Sequence, residues 1–129
     1  MVDIPNSMTV LHVLLPVSLI LADRKITGVF NFCNPGAISH NECLDLYKKH
    51  IDPNYTYTNF TVEEQGIKLI VLLMSLLVTS AKVIVARRSN NTMDHTKLAA
   101  ALPDIKIPEI HEAMEQCMIR MRANLEKEG

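Results

Sequence analysis

A fifteen-residue apolar segment at positions 66–80 sets the strongest limit on what this chain can fold into. Its sequence, GIKLIVLLMSLLVTS, follows neither a helical nor a strand period, so it has no polar face to present to water. The polar side chains within it are those of Lys68, Ser75, Thr79 and Ser80. We expect the segment to extend a helix that starts at the Thr-Val-Glu-Glu capping box of residues 61–64, as a long and nearly all-apolar rod.

The wider stretch at positions 67–86 has two other interpretations, a membrane span or a buried core element. Fifteen of its twenty residues are apolar, and about twenty apolar residues are enough to cross a bilayer. However, Lys82 lies inside it, and the uncharged part, residues 69–81, would extend only about 20 Å as a helix against a hydrocarbon core of about 30 Å. These lengths disfavour insertion. A small single-pass membrane or interaction protein stays open as the alternative.

The remaining composition is that of an ordinary globular protein. A chain of 129 residues suits one domain, and a formal net charge of −1 gives no reason to expect a nucleic-acid partner. The scattered cysteines, Cys33, Cys43 and Cys117, are odd in number and suit a reducing compartment. The first residues lack the basic and apolar regions of a signal peptide. We therefore expect a cytoplasmic protein.

Short helices and strands are predicted to alternate, which indicates an α/β fold. Ser7 can cap a helix over residues 8–23, whose inward stripe is predicted at positions 10, 11, 14, 15, 18, 19 and 22. Strands are predicted over residues 28–32 and 83–85, and the box Ser-His-Asn-Glu at 39–42 opens a second helix. Asp94 can cap a short helix over residues 97–102. Pro108 opens a last helix, with an inward stripe formed by Ile110, Ala113, Met114, Cys117, Met121 and Leu125.

Several sequence words, taken in order, resemble one family. They are IPNSMTVL at 4–11, GVFNFCNPG at 28–36, SHNE at 39–42, NFTVEEQ at 59–65, and the run AKVIVARRSNN followed by Met93 and Asp94. This series resembles the C-terminal third of plant nucleotide-rhamnose synthases, the 3,5-epimerase/4-reductases that make UDP-L-rhamnose. The likeness covers almost the whole chain except residues 66–80. In the family pattern the equivalents of Gln65 and Ala81 are adjacent, so the apolar segment is an insertion.

The resemblance implies one partial domain over residues 1–129, the incomplete C-terminal, substrate-binding part of an extended Rossmann-type reductase. The family uses NADPH and a UDP-4-keto-6-deoxy sugar. This chain has no glycine-rich strand-to-helix turn for a dinucleotide. It also has no tyrosine followed four residues later by lysine, the pair that the reductases use. We therefore expect no cofactor-binding or catalytic residues here, and a cofactor-domain chain as a candidate partner.

Arg88 is the first candidate for binding substrate. In relatives an arginine just after a late strand holds the diphosphate of the nucleotide sugar, a role suited to its planar, permanently charged group. A solvated strand end formed by Arg87 and Arg88 is the competing interpretation. Asn6, Ser7 and Thr9 occupy a loop whose counterpart lies near the substrate in relatives, although Ser7 could instead cap the first helix. Weak UDP-sugar binding is expected, and no metal site, because a zinc ion needs more ligands than one histidine–cysteine pair.

Overall fold

The computed structural model describes residues 4–59 and 91–128 of the chain. Four helices follow one another within these ranges: α1 (Leu11–Asp23), α2 (His40–His50), α3 (Thr96–Ala101) and α4 (Ile110–Glu128). The β-structure of the same ranges is one isolated antiparallel bridge between Asn6 and Ile38. The regular secondary structure of the described residues is therefore helical, and loops join the helices.

The predicted α/β fold, and with it the extended Rossmann-type architecture, is wrong for the described residues. No strand forms over residues 28–32, because side chains take the place of a neighbouring strand. The Lys97 ammonium donates to the Val29 carbonyl at 2.7 Å, and the Thr9 hydroxyl donates to the Phe32 carbonyl at 2.6 Å. These bonds satisfy carbonyl groups that a sheet ladder would otherwise use.

A long apolar helix is likewise not found where the structure describes the chain. None of the helices α1 to α4 is long and apolar enough to cross a membrane. The segment at 66–80, the stretch at 67–86, the capping box at 61–64 and the strand predicted at 83–85 all lie outside the described residues. The membrane interpretation therefore receives no support from the described helices.

Helix α1 buries only part of the predicted stripe, namely Val10 and Leu14. It begins at Leu11 rather than at Met8, and Val10, Leu14 and Val17 are buried on its inner side. Leu11, Leu15 and Leu19 were expected to point inward but are 64%, 56% and 71% exposed. The helix carries two adjacent rows of apolar residues, and the core is wide enough to cover only one of them.

Helix α2 begins as the sequence predicts, with a complete capping box. Ser39 accepts a hydrogen bond from the Glu42 N–H at 3.3 Å, and the Glu42 carboxylate accepts one from the Ser39 N–H at 2.7 Å. This exchange satisfies two backbone donors that a helix start leaves without partners. It also fixes the Glu42 side chain at the N-terminus of α2.

Helix α4 packs against α2 along its first half and extends beyond it. Ile110 and Ala113 are fully buried, and Met114 and Cys117 pack beside them as predicted. At 1.5 Å per residue, α2 is about 17 Å long and α4 about 29 Å. The C-terminal half of α4 therefore has less to pack against, and the last two positions of the predicted stripe, Met121 and Leu125, are exposed.

Two clusters of buried side chains form the core, and Val13 of α1 contacts both. The first joins Val10, Ile38, Ile110 and Ala113 and holds α1 and α4 together with the Asn6–Ile38 bridge. The second joins Leu14, Val17, Leu98 and Leu102 and holds α1 against α3. Helix α1 is thus the element on which both halves of the core depend.

Candidate functional site

The loop that carries Asn6, Ser7 and Thr9 is fixed by partners from elsewhere in the chain. The backbone of Asn6 exchanges two hydrogen bonds with Ile38, each 3.0 Å long. The Asn6 side-chain amide donates to the Ile4 carbonyl at 2.8 Å, and its carbonyl oxygen has no protein partner among the described residues. The bridge to Ile38 therefore fixes the backbone of Asn6.

Ser7 contacts the segment at 91–93 instead of capping α1. Its hydroxyl oxygen accepts a hydrogen bond from the Met93 N–H at 2.9 Å, and its own N–H donates to the Asn91 carbonyl at 3.3 Å. The capping role predicted for Ser7 is therefore wrong. Arg88 lies outside the described residues, three positions before Asn91 in the sequence. The two hydrogen bonds of Ser7 thus join the loop at 6–9 to residues 91–93, which follow Arg88 in the sequence.

Thr9 lies on the same loop, with an exposed side chain whose hydroxyl donates to Phe32. Its oxygen keeps free lone pairs and can still accept a hydrogen bond. The loop thus presents amide and hydroxyl groups, which bind sugar hydroxyls, and no ionisable group. Its chemistry is suited to holding a polar ligand, and it contains no acid or base to react with one.

Asn34 is the main residue of this region that the sequence did not single out. It is 1% exposed, accepts a hydrogen bond from the Val10 N–H at 2.9 Å, and donates one to the Pro108 carbonyl at 3.1 Å. Its own N–H donates to the Met8 carbonyl at 3.0 Å. Asn34 therefore satisfies the N–H of Val10, the residue that precedes α1, while the helix itself has no side-chain N-cap. The motif Asn-Pro-Gly at 34–36 is typical of a turn and gives no local sign of these long-range bonds.

A second polar cluster joins the starts of α2 and α4. The His111 ring lies 2.9 Å from the Glu109 carboxylate through Nδ1 and 3.1 Å from the Glu42 carboxylate through Nε2. Two carboxylates can only accept, so both ring nitrogens donate when the two bonds are formed together, which requires the imidazolium. The hydrogen bonds to Glu109 and Glu42 raise the pKa of His111.

The pKa values of the two carboxylates, Glu42 and Glu109, are lowered, opposite to that of His111. The hydrogen bond from the Ser39 N–H, followed by that from His111, lowers the pKa of Glu42. Burial alone would raise the pKa of Glu109, but its hydrogen bonds from His111 outweigh that effect and lower it. These shifts extend the pH range over which the cluster is charged, to higher pH through His111 and to lower pH through the two carboxylates.

An open cleft of about 370 Å³ lies between α2 and α4, beside this cluster. Lys49 donates to the Glu115 carboxylate at 2.6 Å, and His50 lies 3.1 Å from the same oxygen. Within the described ranges, no three histidine, cysteine or carboxylate side chains are placed to hold a metal ion. The cleft is lined by Glu42, Asp45, Leu46, Lys49, His111, Glu112 and Glu115.

We predict that the His111 cluster stabilises the chain more in mildly acidic solution than in alkaline solution. A raised histidine pKa contributes stability that is complete below the ordinary value of 6.5 and is lost as the pH rises through the folded-state value. His111→Gln should therefore lower the Tm more at pH 6 than at pH 8.5, as measured by thermal unfolding followed by circular dichroism. The control is His40→Gln, since His40 forms no ion pair in the described part of the chain. Equal losses at both pH values would contradict the prediction.

NADPH, the cofactor that the resemblance implies, does not fit the described residues. A dinucleotide pyrophosphate needs a helix N-terminus with free N–H groups behind a glycine-rich turn. The starts of α2 and α4 are each occupied by a carboxylate of this chain, Glu42 at α2 and Glu109 at α4. These carboxylates would repel a phosphate.

Comparison with known proteins gives no matching family model, but it gives clear relatives. The chain is 51% identical over 104 residues to the bifunctional dTDP-4-dehydrorhamnose 3,5-epimerase/dTDP-4-dehydrorhamnose reductase of Arabidopsis thaliana, covering 81% of this chain and 30% of that protein. The chain is homologous to a segment of these epimerase/reductases. The resemblance that the sequence words indicated is confirmed.

Two further relatives support the same assignment. A trifunctional UDP-glucose 4,6-dehydratase/UDP-4-keto-6-deoxy-D-glucose 3,5-epimerase/UDP-4-keto-L-rhamnose-reductase of Arabidopsis thaliana is 51% identical over 104 residues, 13% of its length. The crystal structure of the L780 UDP-rhamnose synthase from Acanthamoeba polyphaga mimivirus matches with a TM-score of 0.69 and 36% identity, over 92% of this chain and 36% of that one. The chain therefore spans roughly a third or less of each of these relatives.

Proposed function

We propose that this chain is the substrate-binding part of a UDP-4-keto-6-deoxy-sugar 3,5-epimerase/4-keto-reductase, an enzyme of UDP-L-rhamnose synthesis. The observation that carries the proposal is the 51% identity over 104 residues to the Arabidopsis epimerase/reductase. We place the protein in the cytoplasm. The free cysteines of the described residues, Cys33, Cys43 and Cys117, are consistent with that compartment.

The geometry of the loop at 6–9 supports a binding role. Its hydrogen bonds to Ile38, Phe32 and the segment at 91–93 hold it in one position before any ligand arrives. A loop that is already ordered loses less entropy on binding. In the proposal, Asn6 and Thr9 accept hydrogen bonds from the sugar, Ser7 positions the neighbouring segment, and Arg88 binds the diphosphate.

In this proposal the chain alone catalyses neither hydride transfer nor epimerisation. The sequence contains no Tyr-x-x-x-Lys pair, and the starts of α2 and α4 carry carboxylates that do not suit a pyrophosphate. The isolated protein therefore binds a UDP-sugar weakly and leaves it unchanged.

The proposal is tested by titrating UDP into the purified 129-residue chain in a calorimeter. Weak binding is expected, and Arg88→Ala should reduce the affinity about tenfold or more, because a charged hydrogen bond contributes about 1.5–3 kcal/mol. Arg87→Ala is the matched control, since it removes the same charge one position away and should have a smaller effect. Absence of UDP binding by the wild-type chain would overturn the proposal, and equal binding by the two variants would remove Arg88 from the site.

A further inference from the structure

An open cleft of about 320 Å³ lies between the first turn of α1 and the later turns of α4. Its volume is at the lower end of the range of about 300–1,000 Å³ that is usual for small-molecule sites. The loop at 6–9 and the His111 cluster do not line it. The residues that line this His12–Arg120 cleft are His12 of α1 and Cys117, Arg120, Met121, Asn124 and Leu125 of α4.

One wall of the His12–Arg120 cleft is apolar. Cys117, Met121 and Leu125 follow one another at intervals of four residues, so they form a single row along α4. Met121 and Leu125 are 42% and 50% exposed, so much of their apolar surface still meets water. An apolar group that covered this row would remove that surface from water, and the flexible methionine could adapt to its shape.

The polar side of the cleft is positive, and none of the described residues that line it carries a carboxylate. Arg120 forms no ion pair within the described ranges. The other arginines of those ranges do form one. Arg24 pairs with Asp104 at 2.6 Å, and Arg122 pairs with Glu126 at 2.6 Å. Arg120 is therefore the arginine of the described residues whose charge is left for an anion from outside the chain.

His12 lies across the cleft from Arg120 and is half-buried. Burial, followed by the charge of Arg120, lowers the pKa of His12. At neutral pH its imidazole is therefore uncharged and can donate one hydrogen bond. The Asn124 amide can donate as well. A guanidinium with neutral donors beside it suits a carboxylate, which arginine can bind through two parallel hydrogen bonds.

We propose that the His12–Arg120 cleft binds a small amphipathic carboxylate, such as a medium-chain fatty acid. The guanidinium of Arg120 holds the carboxylate, and the His12 imidazole donates a second hydrogen bond to it. The apolar tail lies along the row of Cys117, Met121 and Leu125. This binding role goes beyond the proposed function, because the loop assigned to the UDP-sugar does not line the cleft.

The charged end of the ligand is tested by calorimetric titration of the full 129-residue chain at neutral pH. Octanoate is the probe, and 1-octanol is its uncharged counterpart. Arg120→Gln should weaken octanoate binding about tenfold or more, because a charged hydrogen bond is lost, and should leave octanol binding unchanged. Arg122→Gln is the matched control and should change neither, since the Arg122 guanidinium already donates to Glu126 and to the Ile51 carbonyl.

The apolar end is tested in the same titrations with Met121→Ser. This variant should weaken octanoate and octanol alike, by about threefold or more, because both tails lose apolar contact. Met93→Ser is the matched control, because Met93 is 48% exposed but lies outside α1 and α4. Absence of octanoate binding by the wild-type chain overturns the proposal, as does octanoate binding no tighter than that of octanol. Equal octanoate affinities of Arg120→Gln and Arg122→Gln, or of Met121→Ser and Met93→Ser, would overturn it too.

Discussion

Leu14→Ala is expected to lower the free energy of unfolding of the isolated chain by about 2–5 kcal/mol, the usual cost of replacing a fully buried leucine. Leu14 is 0% exposed and packs with Val17, Leu98 and Leu102 between α1 and α3. The smaller side chain loses its own transfer energy and leaves a cavity that the surrounding side chains fill only in part. Urea unfolding followed by far-ultraviolet circular dichroism measures the change.

The neighbouring residue provides the matched control for this prediction. Leu15 is 56% exposed, so Leu15→Ala should change the free energy of unfolding by no more than about 0.5 kcal/mol. The two variants differ by one position on the same helix, so helix propensity contributes equally to both. A larger loss from Leu15→Ala than from Leu14→Ala would mean that the row of Leu11, Leu15 and Leu19 faces the core.

The face of α1 could not be read from its sequence, because both rows are apolar. A helical period identifies a stripe only where polar residues mark the opposite side. In α1 the rows containing Leu14 and Leu15 are equally hydrophobic, and their burial is decided by Leu98 and Leu102, more than eighty positions later. In α2 the capping box lies within four residues, so the start of that helix was predicted correctly.

The strand predicted at 28–32 was wrong for a related reason. Alternating apolar and polar residues indicate a strand only if another segment offers a ladder of hydrogen bonds. Here Phe30 and Phe32 pack into the second cluster, while Lys97 and Thr9 occupy the carbonyls of Val29 and Phe32. Bonds between positions so far apart leave no local mark in the sequence.

The candidate site was predicted in part. The loop of Asn6, Ser7 and Thr9 came from a family resemblance, and the structure adds that it contacts the segment at 91–93. The contact between His111 and Glu42 spans 69 positions, and neither residue type by itself indicates it. The role of Arg88 stays a prediction, since Arg88 lies outside the described residues.

Asn34→Ala is expected to destabilise the chain by about 2–4 kcal/mol, because it removes two long-range hydrogen bonds from a buried position. The Val10 N–H and the Pro108 carbonyl both lose the partner that Asn34 gives them. A buried polar group that is left without a partner costs about 1–3 kcal/mol, more than the bond itself contributes. Urea unfolding again measures the loss.

Asn31→Ala is the matched control for Asn34, because the Asn31 side chain also donates to a distant carbonyl, that of Asp94, at 2.8 Å. Asn31 is exposed, so water can replace its bond and the expected loss is below about 1 kcal/mol.

Native-state hydrogen exchange gives a second measure. The Asn34 side chain accepts from the Val10 N–H, whereas its bond to Met8 comes from the backbone N–H and survives the substitution, so Asn34→Ala should accelerate exchange of the Val10 amide more than exchange within α4. Equal effects of Asn31→Ala and Asn34→Ala would mean that the loop at 6–9 keeps its position without Asn34. Its order would then depend on the bridge to Ile38 and the contact of Ser7 with Met93.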